Sequence, residues 1–284
     1  MKVFLISPEI TPFAETGITG QFSRNFPVQL QEAKHDIRLI MPKYPFISDR
    51  KFTLREVIRL KEIPVEWNSD SRIASIKSGF VPDSKVQVYF LGEEKFFVPV
   101  DERIYKAKGA RRALEDTDIR FAFFSKASLE SLKYLHWQPD VIHCCGWPTV
   151  FVPIMLKTLF KNDPFYKDIK VVFTLFSSKE ISLFSENSLN LAKIDTSTED
   201  DNLLSFDKKR NFSPILAGMS YSDYVITLSS ANSDPAKELK SNPIFVKAIK
   251  DKKGKFKTIA ARSDSVEVYN KITASILDVY NSLV

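Results

Sequence analysis

At 284 residues, 44% hydrophobic and 27% charged, the chain has the composition of a well-cored globular protein, which excludes intrinsic disorder. The net charge of +6 is modest and comes with no nucleic-acid motif, and no apolar run nears the roughly 18 residues of a membrane span. Two adjacent cysteines, Cys144 and Cys145, cannot form an ordinary unstrained disulfide with each other, and the apolar run before Ser7-Pro8 is too short for a signal peptide, so a reducing, cytoplasmic setting is expected.

Val3 to Ser7 reads as a first strand, an apolar run ending in Ser-Pro. Pro12 is expected to hold the next loop extended, and Gly17 and Gly20 stand at the mouth of a helix on which Phe22, Phe26 and Leu30 recur at helical spacing. Strands follow at Ile37 to Met41 and Val86 to Leu91; residues 45–85 between them lack clear periodicity and are read as extra strands or a hairpin at a sheet edge. Phe121, Phe124, Leu129 and Leu132 line a helix that leads into a strand at Val141 to His143, with further strands at Val171 to Leu175 and Val225 to Leu228. Lys247, Lys250, Lys252, Lys253, Lys255 and Lys257 then oppose only Asp251, a tract read as a solvated loop or hairpin tip, or else as a patch for an acidic partner. Val268, Ile272, Ile276, Val279 and Leu283 predict a terminal helix packed back on the body. This alternation defines an α/β fold, a Rossmann-like and mainly parallel sheet wrapped by helices. One domain over residues 1–284 is expected, with the basic loop and terminal helix in 241–284.

The first loop is where chemistry is expected, because a helix N-terminus offers free N–H groups and the positive end of the macrodipole to an anion. This loop carries Glu9 and Glu15 and no basic residue, the wrong sign for a diphosphate. Glycine is scarce, 8 of 284 or roughly 3% against a usual ~7%, which also argues against a phosphate cradle. His143 at a strand end is either a cleft residue or a hydrogen-bonded structural histidine. Cys145 has no second ligand pair at zinc spacing. Trp147 either offers a flat aromatic face to a ligand or fills the core.

The segment SPEITPFAETGITGQFSRNFPVQLQEAKHDIRLIMPKY resembles the N-terminus of bacterial glycogen and plant starch synthases, matching in Ser7, Glu9, Pro12, Thr16, Gly17, Pro27, Leu30, His35, Asp36, Arg38, Pro42 and Tyr44. RFAFFSKASLESLKYLHWQPDVIHCCGWPT and SPILAGMSYSDYVITLSSANSDPAKEL extend the resemblance to about residue 240. It implies the N-terminal half of a two-domain GT-B glycosyltransferase that moves glucose from ADP-glucose to an α-1,4-glucan, with no cofactor and no metal. It makes Glu9, Glu15, Thr16, Gly17, His143, Trp147 and Thr149 candidate substrate-binding residues.

Several family positions are altered. The lysine that faces the nucleotide-sugar phosphates falls on Glu15, and the second glycine of the loop on Ile18. In the second motif a histidine falls on Cys145, an aspartate on Gly146 and the active-site histidine on Pro148, while Phe176 stands where another histidine would. No catalytic residue is intact on this reading, and no second glycine-rich turn follows residue 240. The expectation is a protein inactive alone that holds α-glucan or maltooligosaccharide, with ADP-glucose binding weak or absent. Two other readings stay open. One is an interaction module acting through Lys247 to Lys257, and the other a transferase completed by a homo-oligomer or partner subunit.

Overall fold

The computed structural model describes residues 1–97, 104–105, 114–179, 182–195, 204–230 and 233–284. In chain order the first half holds β1 (Lys2–Ile6), α1 (Ile18–Glu32), β2 (Asp36–Pro42), β3 (Arg55–Glu56), β4 (Ile63–Trp67), β5 (Asp70–Phe80), β6 (Gln87–Gly92), α2 (Glu94–Phe97) and α3 (Thr117–Tyr134). The second half adds β7 (Val141–Cys145), α4 (Phe151–Lys157), β8 (Lys170–Leu175), β9 (Phe184–Ser185), α5 (Glu186–Leu191), β10 (Asn211–Phe212) and α6 (Pro214–Tyr221). It closes with β11 (Tyr224–Ser229), α7 (Pro235–Lys240), α8 (Pro243–Asp251), β12 (Phe256–Ala260) and α9 (Val266–Asn281).

The main sheet runs β12-β11-β8-β7-β1-β2-β6-β5-β3, with β4 paired to β5. Every pairing from β12 across to β6 is parallel, and β5 then pairs antiparallel with β6, β3 and β4. The central strands KVFLI, VIHCC and KVVFTL are buried almost throughout, because helices cover both of their faces. α1 and α9 pack together on one face, and α3, α4 and α6 form a continuous layer on the other. Residues 45–85 supply β3, β4 and β5, the antiparallel extension of the sheet.

Local sequence sets the helix starts. Ser213-Pro214, Asp234-Pro235 and Asn242-Pro243 each place a capping side chain before a proline at the first helical position, and each side chain accepts a backbone N–H of the first turn. The lysine-rich tract departs from the loop reading. Lys247 and Lys250 lie on α8, Gly254 at φ +87° turns the chain, and Lys257 lies on β12, parallel to β11. Neither element is legible in the sequence because lysines mask the pattern of Phe245, Ala248, Ile249 and Ile259, which pack inward.

Packing is tight where α6 crosses β8. A Cβ on Gly218 would sit 2.4 Å from the ring of Phe173, a buried strand residue. Gly218→Ala is therefore expected to destabilise by about 1–3 kcal/mol despite alanine's better helix propensity, read as a lower urea midpoint at unchanged slope.

Candidate active site

Sheet order positions the site. From β1 the chain moves outward to β2 and β6, then returns to β7 on the other side of β1 and proceeds to β8, β11 and β12. The loops leaving β1 and β7 therefore diverge, and the crevice between them lies at the carboxyl ends of the strands, where open α/β sheets bind ligands. A cavity of about 170 Å³ occupies it. Pro8, Glu9 and residues Thr16 to Thr19 line one side, Gly146, Trp147 and Pro148 the other, and Tyr105, Phe176 and Ser177 complete the wall.

The β1–α1 loop is anchored at both ends. Ser23 donates to Ser7 Oγ at 2.9 Å, Ser7 donates to the Glu9 carbonyl at 2.6 Å, and Tyr44 donates to the Pro8 carbonyl at 2.8 Å. The loop is not extended at Pro12 as its sequence suggested. The Thr11–Pro12 peptide is cis, and Phe13 and Ala14 both donate to the Ile10 carbonyl, curling the chain into a turn.

Among the described residues Glu9 is the one carboxyl group in the cavity wall. It is 2% exposed, and its Oε2 accepts the Thr16 N–H, with the Gly20 N–H also directed at it. Burial raises its pKa from 4.5 to about 7, a rise held back first by the Thr16 hydroxyl and then by the two backbone N–H groups. Thus the protein's own carboxyl group occupies part of the α1 N-terminus that a phosphate would use, and α1 has no side-chain cap of its own. Among the described residues no lysine, arginine or histidine lines the cavity.

The opposite wall is aromatic and shaped by backbone. Gly146 adopts φ +77°, a conformation costly for other residues, and so turns the chain out of β7 into the 3-10 turn Trp147–Thr149. Trp147 shows one edge to the cavity and packs on Tyr105 at 5.3 Å and Phe184 at 5.7 Å between ring centroids, so it is both wall and core. Phe176 rests on Phe22 at 5.2 Å.

Of the residues singled out from sequence, Glu9, Thr16, Gly17 and Trp147 meet in this cavity, while Glu15, His143 and Thr149 do not line it. Glu15 is exposed, and its Oε1 accepts from Gln21 at 3.1 Å. Thr149 is buried and donates to the Gly146 carbonyl at 2.8 Å, closing the turn. His143 is fully buried against the stacked rings of Phe22 and Phe26, with Nδ1 at 2.5 Å from the Tyr280 hydroxyl and Nε2 at 2.7 Å from Thr174 Oγ1. Desolvation lowers its pKa to about 3, so it is a neutral structural histidine. Cys145 shares that face and is pushed up to about 12 by burial, an unreactive thiol. Tyr105, Thr19 and Ser177 were missed from sequence; no local pattern distinguishes them, and only the fold brings them together.

A doubly wound sheet with its cleft at this switch point is the architecture of one half of a GT-B glycosyltransferase. The comparisons agree: the model of the starch synthase catalytic domain matches residues 2–242, and the chain belongs to that family. The glycogen synthase of Chlorobium phaeovibrioides is 38% identical over 178 residues, which are 61% of this chain and 35% of that protein. The glycogen synthase of Chlorobaculum parvum is 30% identical over 255 residues, covering 85% of this chain and 48% of its own length. The chain thus spans about a third to a half of these relatives. The catalytic domain of starch synthase IV from Arabidopsis thaliana, solved with ADP and acarbose, superposes with a TM-score of 0.74 at 21% identity, over 93% of this chain and 52% of that one.

Proposed function

We propose that this chain is a glucosyltransferase relative that holds an α-glucan end in the β1–β7 cleft and does not itself transfer glucose from ADP-glucose. The observation that carries this reading is the wall chemistry: aromatic edges, hydroxyls and one buried carboxyl group suit a neutral polyol, whereas a nucleotide diphosphate needs cationic or other strong donors at its phosphates, and the wall has no cation among the described residues. Pro148 and Phe176, apolar where the family resemblance has histidines, support the same reading. A transferase completed by another chain is the second reading, favoured by the part of the α1 N-terminus that Glu9 leaves unoccupied, since Gly17 supplies no side-chain cap.

Gly17 provides the test. Its backbone is extended, at φ 171°, and a Cβ there meets nothing within 4 Å, so Gly17→Leu fills the cavity mouth without strain. Calorimetric titration with maltoheptaose is expected to show binding that weakens at least about tenfold in Gly17→Leu, at an unchanged melting temperature. Labelled ADP-glucose with a glycogen primer is expected to give no incorporation. Incorporation above background by the purified chain overturns the proposal, as does maltoheptaose binding indifferent to Gly17→Leu.

A further inference from the structure

Among the described residues one edge of the sheet lies at β12, far along the sheet from the cleft, and it carries a fringe of lysines. The ladder to β11 reveals which backbone groups are free. Val225 N–H donates to the Lys255 carbonyl, and Ala261 N–H donates to the Ser229 carbonyl. Odd-numbered residues therefore turn toward β11, and Phe256, Thr258 and Ala260 turn their N–H and C=O groups outward. None of these six groups has a backbone hydrogen bond outside the β11 ladder among the described residues, and Thr258 and Ala260 are exposed.

The lysines around this edge divide by function. Lys252 donates to the carbonyls of Ser220 and Ser222 at the end of α6, and Lys257 donates to the Ser275 carbonyl on α9 at 3.1 Å, so these two pin the turn and the strand. Lys247, Lys250, Lys253 and Lys255 are exposed and have no ion pair among the described residues. Lys237 and Lys240 on neighbouring α7 add to the field. Of the acids beside this edge, Glu238 accepts from Ser178, Asp234 caps α7 and also accepts from Ser229, Asp278 on α9 lies 4.0 Å from Lys257, and Asp251 on α8 is exposed.

We propose that β12 is a docking edge for an extended acidic peptide of a partner protein, which adds a strand to the sheet while its carboxylates face the lysines. Backbone pairing supplies the register and the lysine fringe selects the charge. The same lysines disfavour a second copy of this chain, since edge-to-edge pairing would bring like charges together. A nucleic acid or anionic membrane would use the charge and leave the free backbone groups unused.

The test uses a fluorescein-labelled decapeptide of alternating glutamate and threonine, a version N-methylated at alternate amides, and a DNA decanucleotide. Fluorescence anisotropy is expected to show the plain peptide bound and the methylated one at least about tenfold weaker. Lys253→Glu with Lys255→Glu should weaken the plain peptide similarly. Thr258→Pro removes one outward N–H while keeping the β11 ladder, and should also abolish binding. Equal binding of the methylated peptide, peptide binding that survives Thr258→Pro, stronger binding of the DNA, or no peptide binding at millimolar concentration each overturns the proposal.

Discussion

Between pH 6.5 and pH 3 this chain is expected to lose about 5 kcal/mol of stability through His143. The sign follows from which state takes the proton. An unfolded histidine protonates near pH 6.5, whereas the folded one, buried against Phe22 and Phe26, resists charge down to about 3. In that window the unfolded state binds the additional proton, so acid favours unfolding. The contribution is fully present above pH 6.5 and lost as pH falls through 3. Hydrogen bonding reinforces the effect, because a neutral ring donates to one of Tyr280 and Thr174 and accepts from the other, while an imidazolium can only donate. Urea unfolding of the parent and His143→Gln at pH 7 and pH 4 tests this. Glutamine will cost stability at pH 7, but the parent's advantage should shrink steeply at pH 4. A difference that stays constant with pH would show that His143 titrates normally.

The same histidine shows where sequence reading succeeds and where it stops. VIHCC is legible as a strand because five consecutive residues avoid charge, but nothing in that run states which face each side chain takes. The face is decided by β7's place in the sheet, which turns His143 and Cys145 toward α1 and α9 and leaves the cavity to the loop beyond. The central parallel strands were readable for a related reason: burial on both faces demands apolar runs, and apolar runs are visible. β12 was not readable, since an edge strand needs to bury only one face and its alternation FKTIA sits among lysines. The cleft was half legible. The β1–α1 loop announces itself through proline and glycine, whereas Tyr105 joins Trp147 from a distant segment without local pattern. Glu15 drew attention by charge alone, and the fold directs it to Gln21 and solvent, where screening reduces its effect on a phosphate well below the several kcal/mol of an unscreened contact.

Glu9→Gln is expected to stabilise the chain near pH 7 and to do so progressively less as pH falls to 4.5. Folding raises this carboxyl's pKa from 4.5 to about 7, so the folded state holds a proton that the unfolded state has already released, and the parent loses stability as pH rises through that window. The span corresponds to about 3 kcal/mol, opposite in sign to the His143 effect where the two windows overlap. Comparing parent and variant at each pH isolates it, because His143 is common to both. Glutamine retains an oxygen to accept the Thr16 N–H, so the loop should keep its turn. The cleft gives this titration a second readout. Near pH 7 Glu9 is poised between acid and carboxylate, and a bound glucose unit that donates a hydroxyl to it will favour the carboxylate. Maltoheptaose binding to the parent should therefore release a fraction of a proton near pH 7, detectable as a dependence of the calorimetric heat on buffer ionisation. Glu9→Gln should bind with no such dependence. A parent whose binding heat is the same in buffers of different ionisation enthalpy would place the sugar out of reach of Glu9.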